Sequence, residues 1–164
     1  MKFMYQTRRI GRSGFSLIEL VIVVVIIAII GAIAIPKMSR GATGAAESAL
    51  IQNLSVLRSA LDLYQTENGG TYPAAGSASQ ALLTYNDGMG TAVTYSPTKD
   101  TSHIYGPYLR SVPSLPVGAA KGSTTIAALA ASGVGWVYDA TTGKIASNTT
   151  GTEVDSKNLA YSAY

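Results

Sequence analysis

The sequence predicts an α+β protein in which one long N-terminal α-helix packs against a small antiparallel β-sheet head. Three observations carry this. Residues 15–35 form a continuous apolar run with one charge, Glu19. Beyond it, Leu50, Leu54, Leu57, Leu61 and Tyr64 recur at intervals of four and three, the period of a helix with one buried stripe. Near the C-terminal end, Val134-Gly-Trp136-Val-Tyr138-Asp139 and Lys144-Ile145-Ala-Ser-Asn148 flank Ala-Thr-Thr-Gly143, two extended segments around a glycine turn.

The chain has 164 residues and a formal net charge of +3, enough for one domain once a targeting segment is set aside. That charge is unevenly placed. Lys2, Arg8, Arg9 and Arg12 precede Phe15 with no acid among them, so four of the 12 basic residues lie there and eight remain against all 9 acidic ones. The high pI therefore belongs to the N-terminal tail, and the body has no basic excess to suggest a nucleic-acid partner. Cysteine is absent, which excludes a disulfide framework and thiolate zinc sites.

The first element is the apolar run. At about 1.5 Å per residue its 21 residues span roughly 31 Å as a helix, the thickness of a bilayer core. Leu, Ile and Val occupy every face, so it is not an amphipathic surface helix. Four cations precede it and only Lys37 and Arg40 follow closely, which places the N-terminus in the cytoplasm and residues 37–164 across the membrane. Three readings compete. A secretory signal peptide would be cut at Ala32-Ile33-Ala34, but a carboxylate is out of place in its apolar region; Arg8-Arg9 hints at a twin-arginine signal without support from its flanks. An ordinary single-pass anchor tolerates Glu19 without explaining it.

The third reading is a resemblance. Gly14-Phe15-Ser16-Leu17-Ile18-Glu19-Leu20, preceded by a basic leader and followed by an apolar run ending at Pro36, resembles the class III leader of type IV pilins and type II secretion pseudopilins. The likeness covers about residues 8–40 and implies a pilin-like fold. It implies that a prepilin peptidase cuts between Gly14 and Phe15 on the cytoplasmic side and methylates the new amine of Phe15. The chain then divides into a removed leader (1–14), a membrane-spanning and filament-core helix (15–36), the outer half of the helical spine (37–68) and a globular head (69–164).

Glu19 has two readings from its chemistry. Ser16-Leu17-Ile18-Glu19 is a capping box, and an acid near a helix N-terminus is favoured by the macrodipole. Four residues past Phe15, about 6 Å along the axis, it lies near the membrane edge, where burying a charge costs less than at the centre. After cleavage it would also lie one turn from a new α-amine, and residue i+4 can reach back to residue i within one chain. The resemblance implies instead that Glu19 of an incoming subunit meets the Phe15 amine of a neighbour and sets their stagger. Gly31 and Pro36 weaken this helix and predict a kink; local unwinding between them on assembly is implied by the resemblance.

Residues 37–49 are small and polar. The stripe from Leu50 to Tyr64 covers barely two heptads, so it predicts a core-facing face rather than a coiled coil. Asn68-Gly69-Gly70 is a C-cap signal, giving a spine of 53 residues over 15–67, roughly 80 Å long. Residues 71–103 read as loop with a short helix near 79–84, and Tyr105-Gly-Pro-Tyr108-Leu-Arg-Ser-Val-Pro113 as an extended segment packing Tyr108 and Leu109 on the helix. Residues 118–133 give no assignment. In the hairpin, Trp136 and Tyr138 share a face, Gly143 supplies the turn, and Trp136 is expected as a core anchor.

"LDLYQTENGGTYP", "YGPYLRSVP" and "GWVYDATTGKI", in that order, are similar to the major pseudopilin of type II secretion systems. That family often binds calcium in a C-terminal loop, which makes Asp139, Glu153 and Asp155 the candidate metal ligands here. Their spacing does not enforce the six to eight oxygens calcium takes, and a solvated loop is the simpler expectation. No cofactor is otherwise expected. His103, the one histidine, is expected exposed in a polar loop. With no catalytic constellation, the chain is not read as an enzyme.

The resemblance implies a filament subunit whose partners are copies of itself, minor pilin-like subunits, prepilin peptidase, an inner-membrane assembly platform and, before assembly, membrane lipid. It would sit in the bacterial inner membrane with the head periplasmic, and then in a filament. The head lacks the cysteine pair of the usual pilin. A type IV pilus subunit remains the nearest alternative. A membrane-anchored binding module that never polymerises is the alternative of another class.

Overall fold

The computed structural model describes residues 14–164, with the side chains of residues 34–40 and 91 outside the description. Lys2, Arg8, Arg9, Arg12 and the ring of Pro36 therefore lie outside the described residues, and with them the kink expected there. The chain divides into two compact units, Met1–Gly41 and Ala42–Tyr164.

The element common to both is α1, Leu17–Glu67. In the first unit its large apolar side chains between residues 17 and 33 are 45% to 79% exposed. Among the described residues no helix is long and apolar enough to cross a membrane; the 21-residue run includes Ala34 and Ile35, whose side chains are not described.

The second unit is an α+β head. Here the stripe read from the sequence is the core: Leu50, Leu54, Leu57, Leu61 and Tyr64 are at most 1% exposed. They cluster with Leu82, Leu115, Trp136, Tyr138 and Ile145. The helix stops where the sequence places its cap. Gly69 takes φ +65°, and the Gly70 N–H donates to the Gln65 carbonyl at 2.8 Å, the six-to-one bond of a Schellman ending. The Asn68 amide donates to the Tyr64 carbonyl at 2.9 Å, occupying another terminal acceptor.

The expected short helix is α2, Ala78–Leu83. β1 (Tyr85–Asn86) and β2 (Tyr95–Ser96) follow as a two-stranded antiparallel sheet. The proline-bounded segment packs as its sequence predicts. Main-chain N–H groups of Tyr108 and Leu109 donate to the Leu82 carbonyl at 3.0 and 2.9 Å, and the Tyr108 ring meets Tyr64 edge-on at 5.5 Å.

The second sheet has the order β3 (Thr125–Ala127), β4 (Val134–Tyr138), β5 (Ile145–Ser147). The β4–β5 hairpin is antiparallel, with Tyr138 opposite Ile145. Its turn closes by Gly143 N–H donating to the Asp139 carbonyl at 2.8 Å. Gly143 is required twice: its φ is +74°, and a Cβ there would strike the Tyr72 ring. Trp136 and Tyr138 are fully buried, and the indole N–H donates to the Pro113 carbonyl at 2.8 Å, as a core anchor should. β3 is the addition. It lies parallel to β4 with an irregularity between Thr125 and Ile126, making the sheet mixed where the sequence marks only the hairpin.

Candidate assembly site at the start of the long helix

Gly14, Phe15 and Ser16 precede α1 in non-helical conformation, and all three are exposed. Phe15 is 76% exposed, and a Cβ built on Gly14 would meet nothing within 4 Å. Among the described residues nothing packs against Gly14. One residue later the helix begins. Leu20 N–H donates to the Ser16 carbonyl at 3.2 Å, and the Ser16 N–H donates to Glu19 Oε2 at 2.9 Å. That is the glutamate half of a capping box, satisfying a terminal N–H that the helix leaves without an intrahelical acceptor. The capping reading of Glu19 therefore has its bond, made through one carboxylate oxygen. The bond brings that carboxylate to the main chain of Ser16, next to Phe15.

The candidate metal ligands are each engaged elsewhere. Asp139 closes the hairpin turn: Thr141 N–H donates to Oδ1 at 2.8 Å and the Thr142 hydroxyl to Oδ2 at 2.7 Å. The Thr142 bond is the main cause of its carboxyl lying below the usual range, followed by that from Thr141. Glu153 accepts from Thr150 N–H at 2.7 Å and Ala119 N–H at 2.6 Å, in that order the causes of its lowered pKa. Asp155 accepts from the Tyr164 hydroxyl, and its Oδ1 from Lys157 and Leu159 N–H at 2.8 Å each. The Tyr164 bond leads in holding Asp155 low and pushes the Tyr164 phenol up to about 12. Among the described residues no three His, Cys, Asp or Glu side chains come together as a metal site.

His103 differs from its expectation. Its side chain is 19% exposed and bonded at both nitrogens: Nδ1 lies 2.9 Å from Asp100 Oδ2 and Nε2 lies 3.0 Å from Thr94 Oγ1. Other tethers have no sequence signal because they join distant residues. Glu47 on α1 accepts from Ser156 N–H at 2.8 Å and from its hydroxyl at 2.9 Å, 109 positions apart. Arg58 donates to the Ile145 carbonyl at 3.3 Å and to the main-chain oxygen of Tyr164. Buried Asn68 and Asn86 meet the half-buried Tyr108, with Asn86 Nδ2 donating to the Tyr108 hydroxyl at 3.0 Å. Burial is the first cause of that phenol being pushed up to about 12.

The family model described as the prokaryotic N-terminal methylation motif matches residues 9–35. Neither a curated protein nor a solved structure matches the chain. The motif match supports a type IV pilin-like protein and indicates a prepilin-peptidase substrate. It implies assembly with pilin subunits and a membrane-anchored, pilin-like chain. Proteins with such a motif are structural subunits.

Proposed function

We propose that this chain is a structural subunit of the type II secretion pseudopilus, cut between Gly14 and Phe15, methylated on the Phe15 amine, and polymerised through its N-terminal helix to drive protein export. One observation carries the reading: Glu19 sits in the first turn of α1, at the head of its apolar stretch and just past an exposed Gly14–Phe15 bond. In the precursor the carboxylate has a capping role. After cleavage a positive amine appears one turn away, and in a low-dielectric setting an unpaired charge is strongly disfavoured. Pairing Glu19 with the Phe15 amine of a neighbouring copy satisfies both and fixes their axial register, a role buried ion pairs fill better than that of adding stability. Pro36 with Gly31 supplies the weak point at which the helix adapts on assembly. Minor pilin-like subunits and an inner-membrane platform with its ATPase complete the machine, and the head faces the periplasm.

A type IV pilus subunit would share the likeness over about residues 8–40, Glu19 and the apolar run included; the order of the head motifs favours the pseudopilus. The two separate in a deletion strain, where a pseudopilin's loss traps folded cargo in the periplasm and a pilin's loss strips surface fibres. Mass spectrometry of the mature N-terminus tests the processing. Methylated Phe15 is expected; a chain starting at Ile35 indicates an ordinary signal peptide, and retained Met1 a plain anchor. Glu19→Ala is expected to be cut after Gly14 yet fail to enter filaments. Normal filaments from that variant would leave Glu19 as a helix cap alone.

A further inference from the structure

Of the chain's asparagines, Asn68 alone is followed by a glycine. An asparagine carries its own electrophile, the amide carbon Cγ, and the main-chain nitrogen of the next residue is its nearest nucleophile. Glycine presents that nitrogen with no Cβ to crowd the approach and with the widest backbone freedom. The reaction needs only water. The Gly69 nitrogen attacks Asn68 Cγ, the Cγ–Nδ2 bond breaks, and the attacking nitrogen's proton passes through solvent to the departing ammonia. Water then adds to either carbonyl of the cyclic imide that remains. The product is aspartate, or isoaspartate with the main chain running through the side-chain carbon.

The fold treats the two reactants oppositely. Gly69 is exposed, with φ +65°, and among the described residues its N–H has no hydrogen-bond acceptor. The nucleophile is free. Asn68 is fully buried, and its Nδ2 donates to the Tyr64 carbonyl at 2.9 Å and to the Tyr108 hydroxyl at 3.4 Å. Tyr64 lies one turn back, so that bond draws the side chain towards the start of α1, away from the nitrogen that follows it. Tyr108 is itself fixed, by Asn86 Nδ2 at 3.0 Å and by the edge-on contact of its ring with Tyr64.

We propose that Asn68 is a modification site gated by the head: it converts to aspartate or isoaspartate when the end of α1 leaves the core, and is protected while Tyr64 and Tyr108 hold its amide. Loss of ammonia makes the mark one-way, and the product fits the closed head worse than the amide does. An oxygen in place of Nδ2 leaves the Tyr64 carbonyl facing an acceptor. The new carboxylate also stands at the negative end of the helix dipole, with no basic residue in the last turn to meet it. Isoaspartate further lengthens the main chain inside the turn that Gly70 N–H closes on the Gln65 carbonyl. None of this depends on which filament the chain builds.

The test holds the full chain in detergent micelles at mildly alkaline pH, with and without urea, and follows each asparagine by peptide mass spectrometry. In urea Asn68 is expected to convert ahead of Asn53, Asn86, Asn148 and Asn158, none of which precedes a glycine. In the folded chain its conversion should be slower by about a hundredfold or more, tracking the fraction of time the helix end is open. Tyr108→Phe removes one of the two anchors and should convert severalfold faster than the parent while near-ultraviolet dichroism shows its head folded. A folded parent chain that converts as fast as the denatured one overturns the gate. A denatured chain in which Asn68 does not lead overturns the site, and neither result requires the variant to fold.

Discussion

The two halves of α1 draw on the same side chains and end in opposite places. Leu, Ile and Val between residues 17 and 33 are 45% to 79% exposed, while Leu50, Leu54, Leu57 and Leu61 are at most 1% exposed. Apolar content does not decide this; the residues between do. Around the leucine stripe, Gln52, Asn53, Ser55, Arg58, Ser59 and Asp62 give the helix a wet face, so one dry face suffices and the head covers it. From Leu20 to the last described side chain of the first half there is no polar residue, so no orientation leaves it a wet side. A contiguous apolar surface of that kind marks a contact with lipid or protein. In one half folding of the chain supplies the cover; in the other it must come from outside.

The sharpest way to break this contrast is to truncate one leucine and one valine. Leu54→Ala opens a cavity in the head core and should cost about 2–5 kcal/mol, lowering the unfolding temperature of the head in detergent. Val24→Ala removes a side chain that is 57% exposed and should leave that transition where it was, its effect confined to filament incorporation. Equal destabilisation by both would mean that exposure does not separate the two halves.

Acid should separate the halves next. Asp87, Asp100, Asp139, Glu153 and Asp155 all lie below their usual range. A carboxyl lowered by folding stabilises fully above its unfolded value, near about 4. That contribution is lost as pH falls through the lower folded value. The head's near-ultraviolet dichroism should therefore fade below about pH 4, while the helical signal of the apolar half, which lacks such a set of bonded carboxylates, persists. A head as stable at pH 2 as at pH 6 would show that these bonds hold loops without holding the fold.

What the sequence made legible was local. The leucine stripe and the Asn68-Gly69-Gly70 stop are helical periodicity and backbone chirality, both written in adjacent residues. The β4–β5 hairpin was legible because its two strands are joined by a turn that Gly143 makes. β3 was not. It pairs parallel with β4 across only residues 128–133, although parallel neighbours ordinarily need a crossover of a dozen residues or more. What holds that loop is remote: Asn148 Nδ2 donates to the carbonyls of Ala131 at 3.0 Å and Val134 at 2.8 Å. The same limit hid the hydrogen bonds that link Asp87, Thr94, His103 and Asp100, which no sequence pattern joins. At the start of α1 the situation reverses. The Glu19 cap and the Gly14–Phe15 bond are a contiguous motif, legible at once.

The smallest effect tests where the covered half of α1 begins. Glu47 lies three residues before Leu50, and its carboxylate takes both the N–H and the hydroxyl of Ser156. It thereby fastens the C-terminal turn, in which Asp155 N–H donates to the Leu159 carbonyl at 2.8 Å, onto the helix one turn ahead of the core. Glu47→Gln keeps the shape and one acceptor oxygen but removes the charge and turns the other oxygen into an amide nitrogen facing one of the two Ser156 donors. A charge-assisted bond at a partly exposed site should account for about 1 kcal/mol, too little to unfold the head. The measurable consequence is local: faster amide exchange at Ser156, with Leu54 and Leu57 unchanged. If Leu54 and Leu57 also exchanged faster, the head's grip on α1 would extend through Glu47, and the boundary between the two halves would lie N-terminal to the leucine stripe.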